Sequence, residues 1–139
     1  AWISMTWNPW ISITEYPNRC KKGLFGIPFY SIINNSDIIL NKHAEICNGN
    51  IGNMRLFETT GVGTCLLTDS GSNMNDLFEP DEEVVTYSSE DELLQKLKFL
   101  NDNQSIRESI AKAGQKRTLK DHSLKLRCHQ ISEALRKIL

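Results

Sequence analysis

Three short apolar runs, Ile38-Ile39-Leu40, Cys65-Leu66-Leu67 and Val84-Val85, alternate with stretches whose apolar residues recur at helical spacing. A run of strand length without polar alternation suits a strand buried on both faces, and such strands belong to parallel sheets covered by helices. The pattern predicts an α/β fold: a three-layer, Rossmann-like domain whose parallel central sheet contains strands near 37–41, 64–68 and 83–87.

The densest part of the chain runs from Asn53 to Asp69. Asn53, after Gly52, is suited to cap a short helix by accepting from the free N–H groups of its first turn. Leu56 and Phe57 then face inward, Gly61 is expected to end the helix in a left-handed conformation, and Gly63 to turn the backbone again before the strand at 64–68. Arg55 and Glu58, three residues apart, share one face of this helix, beside N–H groups that favour anions.

Lys42 and His43 follow the carboxyl end of the first strand, where open parallel sheets receive ligands. Two readings of His43 stand, a structural histidine and a ligand contact. The polar, glycine-containing segment 44–52 is expected to be the most mobile part of this region. Ser70-Gly71-Ser72-Asn73 follows the second strand in the same way.

The remaining helices announce themselves by their first residues. Pro28 suits the start of a helix near Phe29–Asn35, and Asn73–Phe78 reads as one helical turn before Pro80. Ser89 with Glu92 and Ser105 with Glu108 each satisfy the Ser-x-x-Glu capping box. They predict one helix with Leu93, Leu94, Leu97 and Leu100 inward, and another over 105–117 with Ile106, Ile110 and Ala113 inward. Ser123 is placed to cap a last helix striped by Leu124, Cys128, Ile131, Leu135 and Ile138. At the other end, residues 2–7 alternate like a strand. The stretch 17–28 is a loop with Arg19, Lys21 and Lys22, readable as a solvated turn or as a phosphate-facing loop.

With 139 residues, 40% hydrophobic and 24% charged, the chain suits one globular domain. It divides into a partial strand and basic loop (1–22), a Rossmann-like core (23–118) and a terminal amphipathic helix (119–139). A net charge of −1 gives no general nucleic-acid signal, and acids interrupt the basic residues near the carboxyl end. No stretch approaches the roughly 20 apolar residues of a membrane span. Cys20, Cys47, Cys65 and Cys128 have neither a disulfide-scaffold nor a zinc pattern, which points to reduced thiols in the cytoplasm. His43 and Cys47, four apart, are spaced like two metal ligands, but no second pair follows, and no metal is expected.

The segments Ser36–His43, Asn53–Asp69, Leu77–Pro80 with Glu83–Val85, and Ile110–Arg117 together resemble the carboxyl-terminal half of a GT-B glycosyltransferase. The resemblance extends to the CgeB-like, spore-maturation branch of the group-one glycosyltransferases and covers roughly residues 23–127. It implies a donor-binding domain for a nucleotide-diphosphate sugar. Glu58 falls on the second carboxylate of the family's Glu-x7-Glu pair and would hold the ribose; the first falls on Asn50, a departure from the pattern. Arg55, the helix start around Asn53 and Lys42 or His43 would meet the diphosphate, and Gly61 would border the same nucleotide-sugar site.

The implied chemistry is metal-independent transfer without a cofactor, with the acceptor site and any general base on an amino-terminal domain absent from this chain. Ala1 is not an initiator methionine, which agrees with a fragment. This chain alone is then expected to bind donor without turnover. The alternative is a non-catalytic nucleotide- or sugar-phosphate-binding module, or an interaction subunit. A homodimer through the terminal stripe is a further partner the sequence allows.

Overall fold

The computed structural model describes residues 24–44 and 48–138. The expected strand at 2–7, most of the basic loop 17–28, and Cys47 with its metal reading lie outside the described residues. The elements run α1 (Ile27–Asn34), β1 (Ile38–Asn41), α2 (Met54–Val62), β2 (Cys65–Asp69), α3 (Met74–Leu77), β3 (Val85–Tyr87), α4 (Glu90–Asp102), α5 (Gln104–Asp121) and α6 (Leu124–Ile138).

The three strands form one parallel sheet in the order β1-β2-β3, with Ile38 opposite Cys65 and Leu67 opposite Val85. Alternate side chains leave opposite faces of a strand, and here both faces are covered. Ile39, Leu66 and Val84 meet Phe29 and Ile33 of α1, Leu56 of α2, and Met74 and Phe78 around α3. Ile38, Cys65, Leu67 and Val85 meet Leu100 of α4 and Ile110 and Ala111 of α5. This is the three-layer arrangement expected from the apolar runs.

Local chemistry sets the helix starts. Asn53 Oδ1 accepts from the Leu56 N–H at 3.1 Å, and Ser89 Oγ accepts from the Glu92 N–H at 3.2 Å. The carboxylate of Glu92 returns to the N–H of Ser88, one residue before the cap. The second capping box does not form: α5 begins at Gln104 with Asn103 as its cap, and the Glu108 carboxylate is held by Gln104 Nε2 at 2.8 Å. Asn103 ends α4 and precedes α5, so the break falls before Ser105, which lies within the helix.

Two further expectations are corrected. Gly61 is inside α2; the left-handed end is Gly63, with φ 90° and ψ 28°. Leu94 and Ile106 face solvent, because the faces of α4 and α5 turned to the core are Leu93, Leu97 and Leu100, and Arg107, Ile110, Ala111, Gly114 and Thr118. Gly114 permits that approach, since a Cβ there would lie 2.3 Å from the Glu83 carbonyl oxygen. The expected terminal helix is α6, which has no buried residue among those described, and its Leu124, Ile131, Leu135 and Ile138 are exposed. The stripe does not cover this chain's own sheet.

Candidate functional site

At the carboxyl end of the sheet, neighbouring strand residues join into one polar network. Asn41 and Thr68 are register partners, and Asn41 Nδ2 donates to Thr68 Oγ1 at 3.1 Å. The amides of Asn41 and Asn53 pair reciprocally, at 3.0 and 3.3 Å. Since Asn53 also caps α2, the end of β1 fixes the start of the helix. Tyr87, at the end of β3, donates to the Asn41 carbonyl oxygen at 3.1 Å. Burial, aided by the Asp69 charge, pushes the Tyr87 phenol up to about 12, so it stays a neutral donor near pH 7.

His43 is buried and engaged at both ring nitrogens. Nδ1 lies 2.7 Å from Asp69 Oδ1, and Nε2 accepts from the Gly52 N–H at 3.2 Å. An Nε2 that accepts carries no proton, so these bonds specify the neutral, Nδ1-protonated ring. Asp69 also accepts from the His43 backbone N–H at 3.0 Å and from Thr68 Oγ1 at 3.2 Å. Burial of Asp69 opposes its ionisation. The hydrogen bonds from His43 and Thr68 prevail and hold its carboxyl below the ordinary value. The imidazole of His43 thus ties β1, β2 and the approach to α2 together.

Lys42 is exposed and borders a cleft of about 160 Å³ with His43, Asn50, Ile51, Asp69 and Ser70. The side of the cleft formed by residues 48–52 is anchored. Ile51 is buried, and its N–H and carbonyl oxygen both bond the Asn73 amide at 2.8 Å. Asn50 accepts from Ser72 Oγ at 2.9 Å. A larger cleft of about 560 Å³ opens by Asp81–Glu83 and the first half of α5. It precedes β3, away from the carboxyl ends of the strands where ligands enter such sheets. No group of three His, Cys, Asp or Glu side chains converges on a metal position among the described residues.

Arg55 and Glu58 stand apart from this cleft, on the side of α2 that faces α1. Arg55 Nη1 donates to Glu58 Oε2 at 2.7 Å, and the guanidinium carbon sits 4.2 Å from the centre of the Phe29 ring. Tyr30 Oη donates to Glu58 Oε1 at 3.1 Å. That hydrogen bond, with the adjoining negative charge, raises the Tyr30 phenol above its ordinary value. Gly61 is elsewhere: near the far end of α2, its carbonyl oxygen accepts from Gln115 Nε2 of α5 at 3.2 Å.

The sequence-derived residues thus form two groups, Lys42, His43 and Asn53 at the sheet end and Arg55 with Glu58 along the helix, with Gly61 outside both. Asn41, Asp69, Phe29 and Tyr30 are additions. Asp69 had a readable signal, an acid at the end of a buried strand. Tyr30 had none until α1 met α2.

A parallel sheet wrapped by helices, with polar residues gathered at its carboxyl edge, defines an α/β protein of the Rossmann-like class. The family model described as glycosyl transferase-like matches residues 6–133, and the chain belongs to that family. No curated protein matches it. Among solved structures, sucrose-phosphate synthase from Thermosynechococcus elongatus superposes with a TM-score of 0.70 at 11% identity, over 91% of this chain and 32% of that one. The C-terminal domain of a glycosyl transferase group 1 family protein (LpcC) from Francisella tularensis gives a TM-score of 0.61 at 12% identity, over 81% of this chain and 59% of that one. At such identities the likeness is one of fold, that of the carboxyl-terminal half of a GT-B glycosyltransferase. The chain spans about a third and somewhat more than half of these two structures.

Proposed function

We propose that this chain is the donor-binding domain of a glycosyltransferase that uses a nucleotide-diphosphate sugar, most similar to the CgeB-like branch. The observation that carries the reading is Glu58. It is a carboxylate paired with Arg55 on a helix that starts at the carboxyl edge of a parallel sheet, within a chain of the glycosyl transferase-like family. In this reading Glu58 accepts from the ribose hydroxyls. Arg55, Lys42 and the first-turn N–H groups after Asn53 meet the diphosphate, whose charge they stabilise as it departs. His43 acts through Gly52, whose N–H it holds in place before the helix.

The transfer itself, a metal-independent displacement at the anomeric carbon, takes an acceptor whose site, with any general base, lies on an amino-terminal domain. We assign it to the cytoplasm. Among the described residues no helix is long and apolar enough to cross a membrane. The exposed stripe of α6 is available to that other domain or to a second copy. The isolated chain binds donor without turning it over.

One observation favours the second reading, a binding module that has lost the reaction. Asn50 stands where the family pattern has a carboxylate, and its amide oxygen is occupied by Ser72. A thermal-shift screen against nucleotides and nucleotide sugars tests binding. Glycosyl transfer by a longer parent protein separates an enzyme from a module. Stabilisation by nucleotide sugars together with transfer supports the first reading, and stabilisation without transfer supports the second. Absence of any stabilisation counts against both.

A further inference from the structure

Two consecutive aromatic residues of α1 hold the two members of the Arg55–Glu58 pair. The Phe29 ring lies under the Arg55 guanidinium at 4.2 Å, and the Tyr30 hydroxyl donates to Glu58 Oε1 at 3.1 Å. The two rings meet edge to face, with centroids 5.3 Å apart. Phe29 is buried in the core beneath α1 and α2, so this end of the arrangement is fixed by packing.

The geometry bears on what Glu58 is able to recognise. The terminal torsion of a glutamate is soft, so a single bond from Arg55 leaves the carboxylate plane free to turn. A second bond, from a different helix, sets the plane. A carboxylate offers about four acceptor positions, two on each oxygen. Arg55 occupies one on Oε2 and Tyr30 one on Oε1, which leaves one on each oxygen. Two acceptors on one fixed carboxylate match two adjacent hydroxyls better than one.

We propose that Tyr30 is a positioning residue for ligand recognition by Glu58: by holding Oε1 it presents the two remaining acceptor positions together to a vicinal diol, and so favours ribonucleotides over 2′-deoxyribonucleotides. The inference rests on the reading of Glu58 as the ribose carboxylate. The competing role is a plain tie between α1 and α2, which would show in stability and not in the choice of ligand.

The test is calorimetric titration of the 139-residue chain, of Tyr30→Phe and of Glu58→Ala. The probes are ADP, CDP, GDP and UDP, their 2′-deoxy counterparts, and inorganic pyrophosphate. Phenylalanine keeps the ring and removes only the hydroxyl. The parent chain binds the best ribonucleotide more tightly than its 2′-deoxy form, and Tyr30→Phe reduces that ratio roughly two- to tenfold, the range of one neutral hydrogen bond. Pyrophosphate affinity and the thermal melt stay as in the parent.

If Tyr30→Phe keeps the parent's ratio while Glu58→Ala abolishes it, Glu58 is the ribose anchor and the positioning role of Tyr30 is overturned. An equal loss for all probes, pyrophosphate included, assigns Tyr30 to structure alone and overturns it too. If Glu58→Ala leaves the ratio unchanged, or the parent binds none of the probes, the donor-site reading fails and this inference with it.

Discussion

Nδ1 of His43 lies 2.7 Å from Oδ1 of Asp69, and the opposite ring nitrogen accepts from Gly52. The pair therefore links the ends of two neighbouring strands to the residue before the cap of α2. Two of the links are backbone N–H groups, those of His43 and Gly52, so losing the side chains leaves buried donors without partners. Asp69→Asn is expected to lower stability at pH 7 by about 1.5–3 kcal/mol, the scale of hydrogen bonds to a charged group.

The same pair makes that difference depend on pH. The folded Asp69 carboxyl is held below its ordinary value by His43 and Thr68, against the opposing effect of burial. A depressed folded value contributes stability that is present above the unfolded pKa, about 3.9, and is lost as pH falls through the folded value. Melts of the parent and of Asp69→Asn should differ fully at neutral pH and converge below about pH 4. A gap that persists unchanged on acidification would show that the Asp69 charge is not what supports this end of the sheet.

Gly61 inside α2 and Gly63 at its end should respond differently to alanine. At Gly61, in the helix interior, a Cβ meets only Thr118 Cγ2 at 3.5 Å, an ordinary contact. The substitution should be neutral or stabilising by up to about 1 kcal/mol. Gly63 has φ 90°, and a Cβ there would come within 2.8 Å of the Gln115 side chain. Its alanine variant should lose about 1–2 kcal/mol. Denaturant titration of both variants checks this, and a larger loss at Gly61 would contradict the helix end seen here.

Asn53→Ala removes more than a cap. A helix loses about 1 kcal/mol when its N-cap side chain goes. The Asn41 amide, 6% exposed, also loses its reciprocal partner and keeps Thr68, a further cost of about 1–3 kcal/mol. Asn53→Asp is the control: it keeps the cap acceptor and removes the donor to Asn41 Oδ1. Stability should therefore fall in the order parent, Asn53→Asp, Asn53→Ala, as thermal melts would report. Equal melts for the two variants would mean that the Asn41 pairing contributes nothing separable.

What could be read from the sequence was what neighbouring residues decide. The strands followed from short apolar runs, and the caps at Asn53 and Ser89 from side chains three residues from the N–H they bind. The Ser105 box failed because Asn103 ended α4 two residues earlier, a competition between adjacent breaks that either motif alone conceals. Leu94 and Ile106 looked like core because amphipathic spacing gives a stripe's width and not the rotation at which it docks. At the candidate site, the i,i+3 pairing of Arg55 and Glu58 was legible. The His43–Asp69 bond spans 26 residues and the Tyr30–Glu58 bond spans 28, and neither leaves a local trace.

In the proposed function Glu58 and Arg55 form a donor-binding pair and not merely an ion pair. Calorimetric titration of the parent, Glu58→Ala and Arg55→Ala with a nucleoside and its diphosphate tests it most directly. A charge-assisted hydrogen bond contributes about 1.5–3 kcal/mol, so Glu58→Ala should bind both ligands roughly tenfold to hundredfold more weakly. Arg55→Ala should lose diphosphate affinity far more than nucleoside affinity. The ion pair itself supplies only about 0.2–0.5 kcal/mol, and the contacts with Tyr30 and Phe29 add about 0.5–1.5 kcal/mol each, so both variants should stay folded. Parent-like affinity of Glu58→Ala for the nucleoside and its diphosphate would contradict the account and leave Glu58 as a partner of Arg55 and Tyr30 alone.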